Sequence, residues 1–352
     1  MLARYQWSLR APFYTRLYAT RAYRYKPMGK NKKQSIPDEA HLLLPAYAIN
    51  TGIVDTHTHL VSTFAQYQSK YKGGKYETIY DFVRGLYQGR KVESIVDVWC
   101  EAPVQTIWRE LADSALKKDE RWSGIEYWFV MGVHPHEAKL YTDATEKDIL
   151  EAMAHPRCVG WGEIGLDYHY DNSPRDIQQS IFIRQLRNAV KLRKSITVHT
   201  REAEEDTERI LKEEVPKDHR IHIHCYTDSP ELAQRLLDHF PNLYIGITGV
   251  ITYSTNLNTA ALIRQMSSSS PTSPGSLRIL LETDAPYMIP SNLYSSLTLA
   301  APDLKGKKLP LCHTAMIPWT AEFVAGLIGK EEWDTERVLK VARDNARTVY
   351  GV

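Results

Sequence analysis

The chain has 352 residues, 43% hydrophobic and 24% charged, with a net charge of +2. Those values describe a soluble globular protein of one large α/β domain or two ordinary ones, and the near-neutral balance gives no molecule-wide field of the kind that draws nucleic acid or membranes. No run approaches the ~18 apolar residues of a membrane span, and Cys100, Cys158, Cys225 and Cys312, widely spaced with no Cys-x-x-Cys, argue against a disulfide framework or a cysteine zinc site and fit a reducing compartment.

The first 40 residues differ from the rest. Arg4, Arg10, Arg16, Arg21 and Arg24 alternate with apolar and aromatic residues, and the first acidic residue is Asp38. Such a leader has the composition of a mitochondrial presequence, and Arg16-Leu17-Tyr18 before Ala19 has the look of a processing site. A basic arm without an import signal is the alternative, and would leave the protein in the cytoplasm or nucleus.

From residue 50 to 352 short β-rich runs alternate with helical ones. The expected strands are Ile53–Leu60, Ser94–Cys100, Tyr127–Val133, Cys158–Gly165, Ser195–Thr200, Ile221–Tyr226, Leu243–Ile251 and Ile279–Thr283. Helical periodicity is clearest over Arg175–Arg193 and Pro230–His239. Eight such units predict a closed (β/α)8 TIM barrel, with an open doubly wound sheet as the alternative. The Ser- and Pro-rich residues 267–276 read as a flexible loop on the face away from the site. Tyr287–His313 follows the last strand and is expected to cover the mouth as an irregular stretch. Ala315–Val352 reads as two helices, the second capped by Asp334.

Catalytic groups of a barrel sit at the C-terminal ends of its strands. There the first strand offers His57 and His59, which share a face because side chains two apart in a strand point the same way. The third runs into His134, the fourth carries Glu163 and Asp167, the fifth His199 and Arg201, the sixth His222 and His224, and the eighth Glu282 and Asp284. His57, His59, Glu163, His199, His224 and Asp284 are the expected metal ligands, because imidazoles and carboxylates together suit zinc, manganese and similar ions. Glu163 has two oxygens and can bridge two cations, while Asp284 can bind one and take a proton from its water. His134 and Arg201 are candidates for substrate contact, against a plain strand-end residue and a surface ion pair. His222 is assigned to the helix layer, Asp167 to orienting loops, and Glu282 receives no role.

Taken in order, Asp55-Thr56-His57-Thr58-His59, Gly132-Val133-His134-Pro135, Gly162-Glu163-Ile164-Gly165-Leu166-Asp167-Tyr168, Val198-His199-Thr200-Arg201, His224-Cys225-Tyr226, Glu282-Thr283-Asp284-Ala285-Pro286-Tyr287 and the closing Asp344-Asn345-Ala346-Arg347 resemble the TatD-type metal-dependent deoxyribonucleases. The resemblance implies an amidohydrolase-type TIM barrel with two divalent ions, zinc, magnesium or manganese. The first would be held by His57, His59, Glu163 and Asp284, and the second by Glu163, His199 and His224. It implies a hydrolase of phosphodiester bonds, a DNase of exonuclease type acting on DNA. Other readings are an ester hydrolase such as one acting on misacylated tRNA, and a non-catalytic interaction scaffold. One departure falls near the mouth: where the family carries Arg-Asn-Glu-Pro, this chain has Lys307-Lys308-Leu309-Pro310-Leu311-Cys312-His313. That variant is similar to a fungal branch, some members of which bind cell-cycle proteins, so a protein partner is expected beside the nucleic acid.

Overall fold

The computed structural model describes residues 36–269 and 277–352. Residues 1–35 of the expected leader and 270–276 of the expected Ser/Pro-rich loop lie outside these, while residues 267–269 of that loop are helical and continue the helix before it. Eight parallel strands follow one another in order: β1 (Ile53–Thr58), β2 (Val92–Trp99), β3 (Glu126–Met131), β4 (Cys158–Asp167), β5 (Ser195–Arg201), β6 (Ile221–Ile223), β7 (Leu243–Ile247) and β8 (Ile279–Leu281). The ring closes at its upper end, where the Asp284 N–H donates to the His57 carbonyl (2.9 Å) and the His59 N–H to that of Ala285 (2.9 Å). The alternation legible in the sequence is therefore that of a TIM barrel rather than of an open sheet.

Around it run α1 (Leu60–Lys70), α2 (Ile79–Tyr87), α3 (Trp108–Leu116), α4 (Asp143–Met153), α5 (Arg175–Leu192), α6 (Glu204–Glu214), α7 (Pro230–His239), α8 (Asn258–Ser269), α9 (Leu293–Ala300), α10 (Ile317–Ile328) and α11 (Thr335–Tyr350). Helix α7 shows why the expected bounds held. The Ser229 hydroxyl accepts from the Leu232 N–H, Pro230 occupies the first turn, and Leu232, Ala233, Leu236 and Leu237 bury one stripe, the spacing a helix needs to face a sheet. Asp334 caps α11 by accepting from the Arg337 N–H (2.8 Å), as expected.

Three expectations are corrected. The sixth strand stops at Ile223 rather than Tyr226, because Cys225 takes a left-handed backbone (φ 43°) that turns the chain. The seventh stops at Ile247, where Thr248 caps a 3-10 turn over Gly249–Thr252. Tyr287–His313 is not wholly irregular, since it contains α9. Asp38 and Glu39, inside the expected leader, already join the folded part: Glu39 accepts from the Tyr67 hydroxyl (2.6 Å), and Leu42 and Leu44 are buried beside it.

Two apolar layers result. The larger lies between strands and helices, and a smaller one fills the barrel's lower interior. There Ala346, Val349 and Tyr350 of α11 pack on Val54, Val96, Val130 and Leu280, so the last helix plugs the barrel from below. Among the described residues no helix is long and apolar enough to cross a membrane.

Strands β4 and β5 meet most closely at Gly165, whose φ is +148° and where an added Cβ would come 1.9 Å from the His199 carbonyl oxygen. Gly165→Ala is expected to destabilise the protein by roughly 1–3 kcal/mol, combining a backbone that only glycine adopts freely with a clash at a candidate ligand. Chemical denaturation checks this, and an unchanged midpoint and slope would contradict it.

Candidate metal centre

The upper end of β1 is braced by two buried carboxylates. Asp55 accepts from the backbone N–H of Thr283 (3.0 Å) and from the hydroxyls of Thr283 (2.7 Å) and Thr314 (2.8 Å), so it locks β1 to the β8 end. Asp97 accepts from the Leu60 N–H (2.8 Å) and the Tyr127 hydroxyl (2.9 Å), fixing the turn that carries His59. Burial pushes Asp55 up to about 7 and Asp97 up to about 6.

Glu163, only 3% exposed, stands at the centre. Its two oxygens face different partners. Oε2 lies 3.5 Å from His57 Nε2 and 3.9 Å from His59 Nε2, on the side where Asp284 Oδ1 stands 3.3 Å from His59 and 3.7 Å from His57. Oε1 lies 2.8 Å from His199 Nδ1, 3.2 Å from His224 Nε2 and 3.5 Å from His134 Nε2. Three donor groups, each with its atoms within 4.8 Å, arise from this: His57, His59 and Glu163; His57, His224 and Asp284; and His134, Glu163 and His199.

All six expected ligands thus come together at one end of the barrel. His134, expected as a substrate contact, joins the donor cluster instead of standing apart from it. Arg201 stays at the rim, its guanidinium 5.0 Å from the centroid of the Tyr170 ring, while neighbouring Glu202 pairs with His169. Asp167 does more than order its loop: Oδ1 accepts from the N–H of His169 (2.9 Å), and Oδ2 lies 2.8 Å from His136 Nε2 and 3.3 Å from His199 Nε2.

The assignment of His222 to the helix layer is wrong. Residues two apart share a face, so His222 points into the barrel like His224 and lies 2.8 Å from Glu282 Oε2. Glu282 is the residue sequence reasoning passed over. Its position two residues before Asp284, on the same face, was the signal available.

Both ring nitrogens of His57 are buried without a hydrogen-bond partner, a costly arrangement unless something else satisfies them. Together with the nitrogen and oxygen donors around it, this fits a divalent cation. The protonation of the protein by itself tells the same story. Burial opposes the charge on Glu163, but His224, His134 and His199 outweigh it and hold the carboxyl well below its usual range. Burial drives His57 and His134 down to about 4, His224 adding to the fall at His57. Burial also opposes a proton on His199, but Asp167 and then Glu163 overcome it and raise the group to about 9. His224 is raised well above its usual value against burial, by Glu163 and Glu282.

A (β/α)8 barrel that gathers imidazoles and carboxylates at the C-terminal ends of its strands has the donor set that divalent cations take. The chain belongs to the TatD-related DNase family, whose model matches residues 54–351. It is 34% identical over 275 residues to the human 3'-5' RNA nuclease TATDN2, covering 77% of this chain and 33% of that protein. It is 28% identical over 306 residues to the Bacillus subtilis metal-dependent hydrolase YabD, covering 85% of this chain and 99% of that one. The Escherichia coli 3'-5' ssDNA/RNA exonuclease TatD is 35% identical over 167 residues, 47% of this chain and 60% of that enzyme. The chain therefore spans about a third of the human relative and less than two thirds of TatD. In fold it is similar to an amidohydrolase from Saccharomyces cerevisiae, with a TM-score of 0.67 at 18% identity over 86% of this chain and all of that one.

A raised pKa means that His199 and His224 hold protons at neutral pH, and a cation has to displace them. Lowering the pH strengthens the competitor, so cation affinity is expected to fall as pH drops below about 9. Calorimetry at pH 7 in buffers of different ionisation enthalpy should show net proton release on manganese uptake. Uptake without proton release would contradict the protonation assigned here.

Proposed function

We propose that this chain hydrolyses phosphodiester bonds at nucleic-acid ends with two divalent cations, zinc, magnesium or manganese, one on each side of Glu163. One observation carries the reading: the two oxygens of that buried carboxylate face separate donor sets, His57 and His59 with Asp284 on one side and His199 and His224 with His134 on the other. The nuclease activities named for the human and E. coli relatives support a nucleic-acid substrate.

Bound divalent cations would supply Lewis acidity and a water ionised near neutral pH. The chain's own residues do the rest. Glu163 and Asp284 provide the negative charge that offsets two closely spaced cations. Asp284 sits on a left-handed backbone (φ 51°) at the β8–β1 seam, its N–H tied to His57, so its carboxylate is held facing the histidines. From there it accepts the proton of the attacking water. Arg201 stands at the rim beside half-exposed Tyr170, where a guanidinium can meet a substrate phosphate and an aromatic ring a base. His134, 3.5 Å from Glu163 Oε1, belongs to the donor set with Glu163 and His199. We also propose that the Arg-rich leader directs import into mitochondria. Fused to a reporter, residues 1–40 should carry it there, and a diffuse cytosolic signal would count against import.

Glu163→Gln and Asp284→Asn should act differently. Replacing the carboxylate between two cations by a neutral amide raises their repulsion, so Glu163→Gln should lose metal and activity together. Asp284→Asn keeps an oxygen donor but no base, so turnover on a single-stranded oligonucleotide should fall ~10²–10⁴-fold while most metal stays bound. Near-native turnover in Asp284→Asn would remove it from the proton-transfer role.

A further inference from the structure

Directly behind the metal centre, a line of polar side chains runs down the inside of the barrel to the last helix. His224 Nδ1, the ring nitrogen turned away from Glu163, lies 3.4 Å from Glu282 Oε1, which also accepts from the Cys225 N–H (2.5 Å). The other oxygen, Oε2, lies 2.8 Å from His222 Nε2. His222 Nδ1 is hydrogen-bonded to the Tyr350 hydroxyl at 2.8 Å, and that hydroxyl to Thr197 Oγ1 at 2.6 Å. Every member is buried, Glu282, His222 and Thr197 completely. The barrel makes room for the line at Gly246, where an added Cβ would come 2.4 Å from Glu282 Oε1 and 2.5 Å from His222 Nε2.

We propose that Glu282, His222 and Tyr350 are positioning residues that fix the ring and tautomer of His224 and couple helix α11 to the metal centre. The proposal rests on the two-cation reading above. Hydrogen bonds join Thr197 to Tyr350 and Tyr350 to His222 Nδ1, while His222 Nε2 and His224 Nδ1 face the two Glu282 oxygens as close charge contacts rather than as aligned N–H···O bonds. His224 Nε2 faces Glu163 Oε1 at 3.2 Å, where a cation that displaces its proton can use it. A carboxylate behind a ligating imidazole orients the ring and raises its basicity. A buried carboxylate without partners would itself be strongly unfavourable, and His222 with Tyr350 is what holds Glu282 in place. A purely space-filling role would be served as well by apolar side chains, which need none of this matching of donors and acceptors. The link has a reach beyond the site, because Tyr350 belongs to the helix that plugs the barrel's lower end.

The test titrates the full-length protein, stripped of metal, with Co2+, reading affinity for each ion and the visible d–d spectrum. Three proteins are compared: native, Glu282→Gln, which keeps the shape and removes the charge, and Tyr350→Phe, which removes one oxygen. The native chain should take up two ions. In Glu282→Gln one of them should bind 10–100-fold more weakly, with an altered spectrum at saturation. In Tyr350→Phe the same ion should be weakened in the same direction by a smaller factor, with far-UV dichroism unchanged. A mere packing role would move neither the spectrum nor the difference between the two ions. Native affinity and spectrum in Glu282→Gln overturn the relay, and the same result in Tyr350→Phe overturns its link to α11. Should Glu282→Gln not fold, His222→Gln takes its place, with the same weakening of one ion expected and native affinity and spectrum overturning the relay. A native chain that binds no Co2+ overturns the two-cation reading and the relay with it, an outcome distinct from native binding that Glu282→Gln leaves untouched.

Discussion

The structure turns on one buried carboxylate. Glu163 lies inside the barrel with almost no access to water, where an ionised carboxyl is tolerated only among compensating partners. Those partners cannot come from its own strand, since neighbours two apart on β4 would point into the same space. They come from β1, from the turns after β3 and β6, and from β5, and each supplies an imidazole. A closed barrel is the arrangement that points the ends of so many strands at one spot, with apolar layers packed around it.

The two ends of the barrel divide the work. Below, α11 closes the interior with Ala346, Val349 and Tyr350 against inward-facing valines and leucine, a largely apolar plug from which the Tyr350 hydroxyl reaches His222. Above, the closure of β8 onto β1 passes through the site itself. The backbone bonds that seal the ring join His57 to Asp284 and His59 to Ala285, and Asp55 clamps the same seam from beneath. Folding the barrel shut and placing Asp284 beside the two histidines are therefore one event.

Much of this was legible in the sequence, and for a physical reason. Short β-rich runs separated by helical periodicity have few other ways to fold, and the six expected ligands fell at the C-terminal ends of those runs. What escaped was mostly inside the barrel. His222 was turned outward by an error in period: it shares the face of His224. Glu282 had no visible partner, because the groups around it come from β6 and the turn after it, Cys225 being 57 residues away, while Tyr350, 128 residues from His222, reaches it only through that histidine. The short β6 and β7 were overrun because the apolar run continues past the left-handed turn at Cys225 and into the 3-10 turn after Thr248.

The central claim is that Glu163 stands between two cations rather than beside one. Electron paramagnetic resonance of the protein loaded with two equivalents of Mn2+ tests it most directly. Ions ~3.5–4 Å apart across a shared carboxylate should give the broad, exchange-coupled spectrum of a pair, and Glu163→Gln should abolish that coupling. A six-line spectrum of isolated Mn2+ in the native protein at full loading would contradict the account.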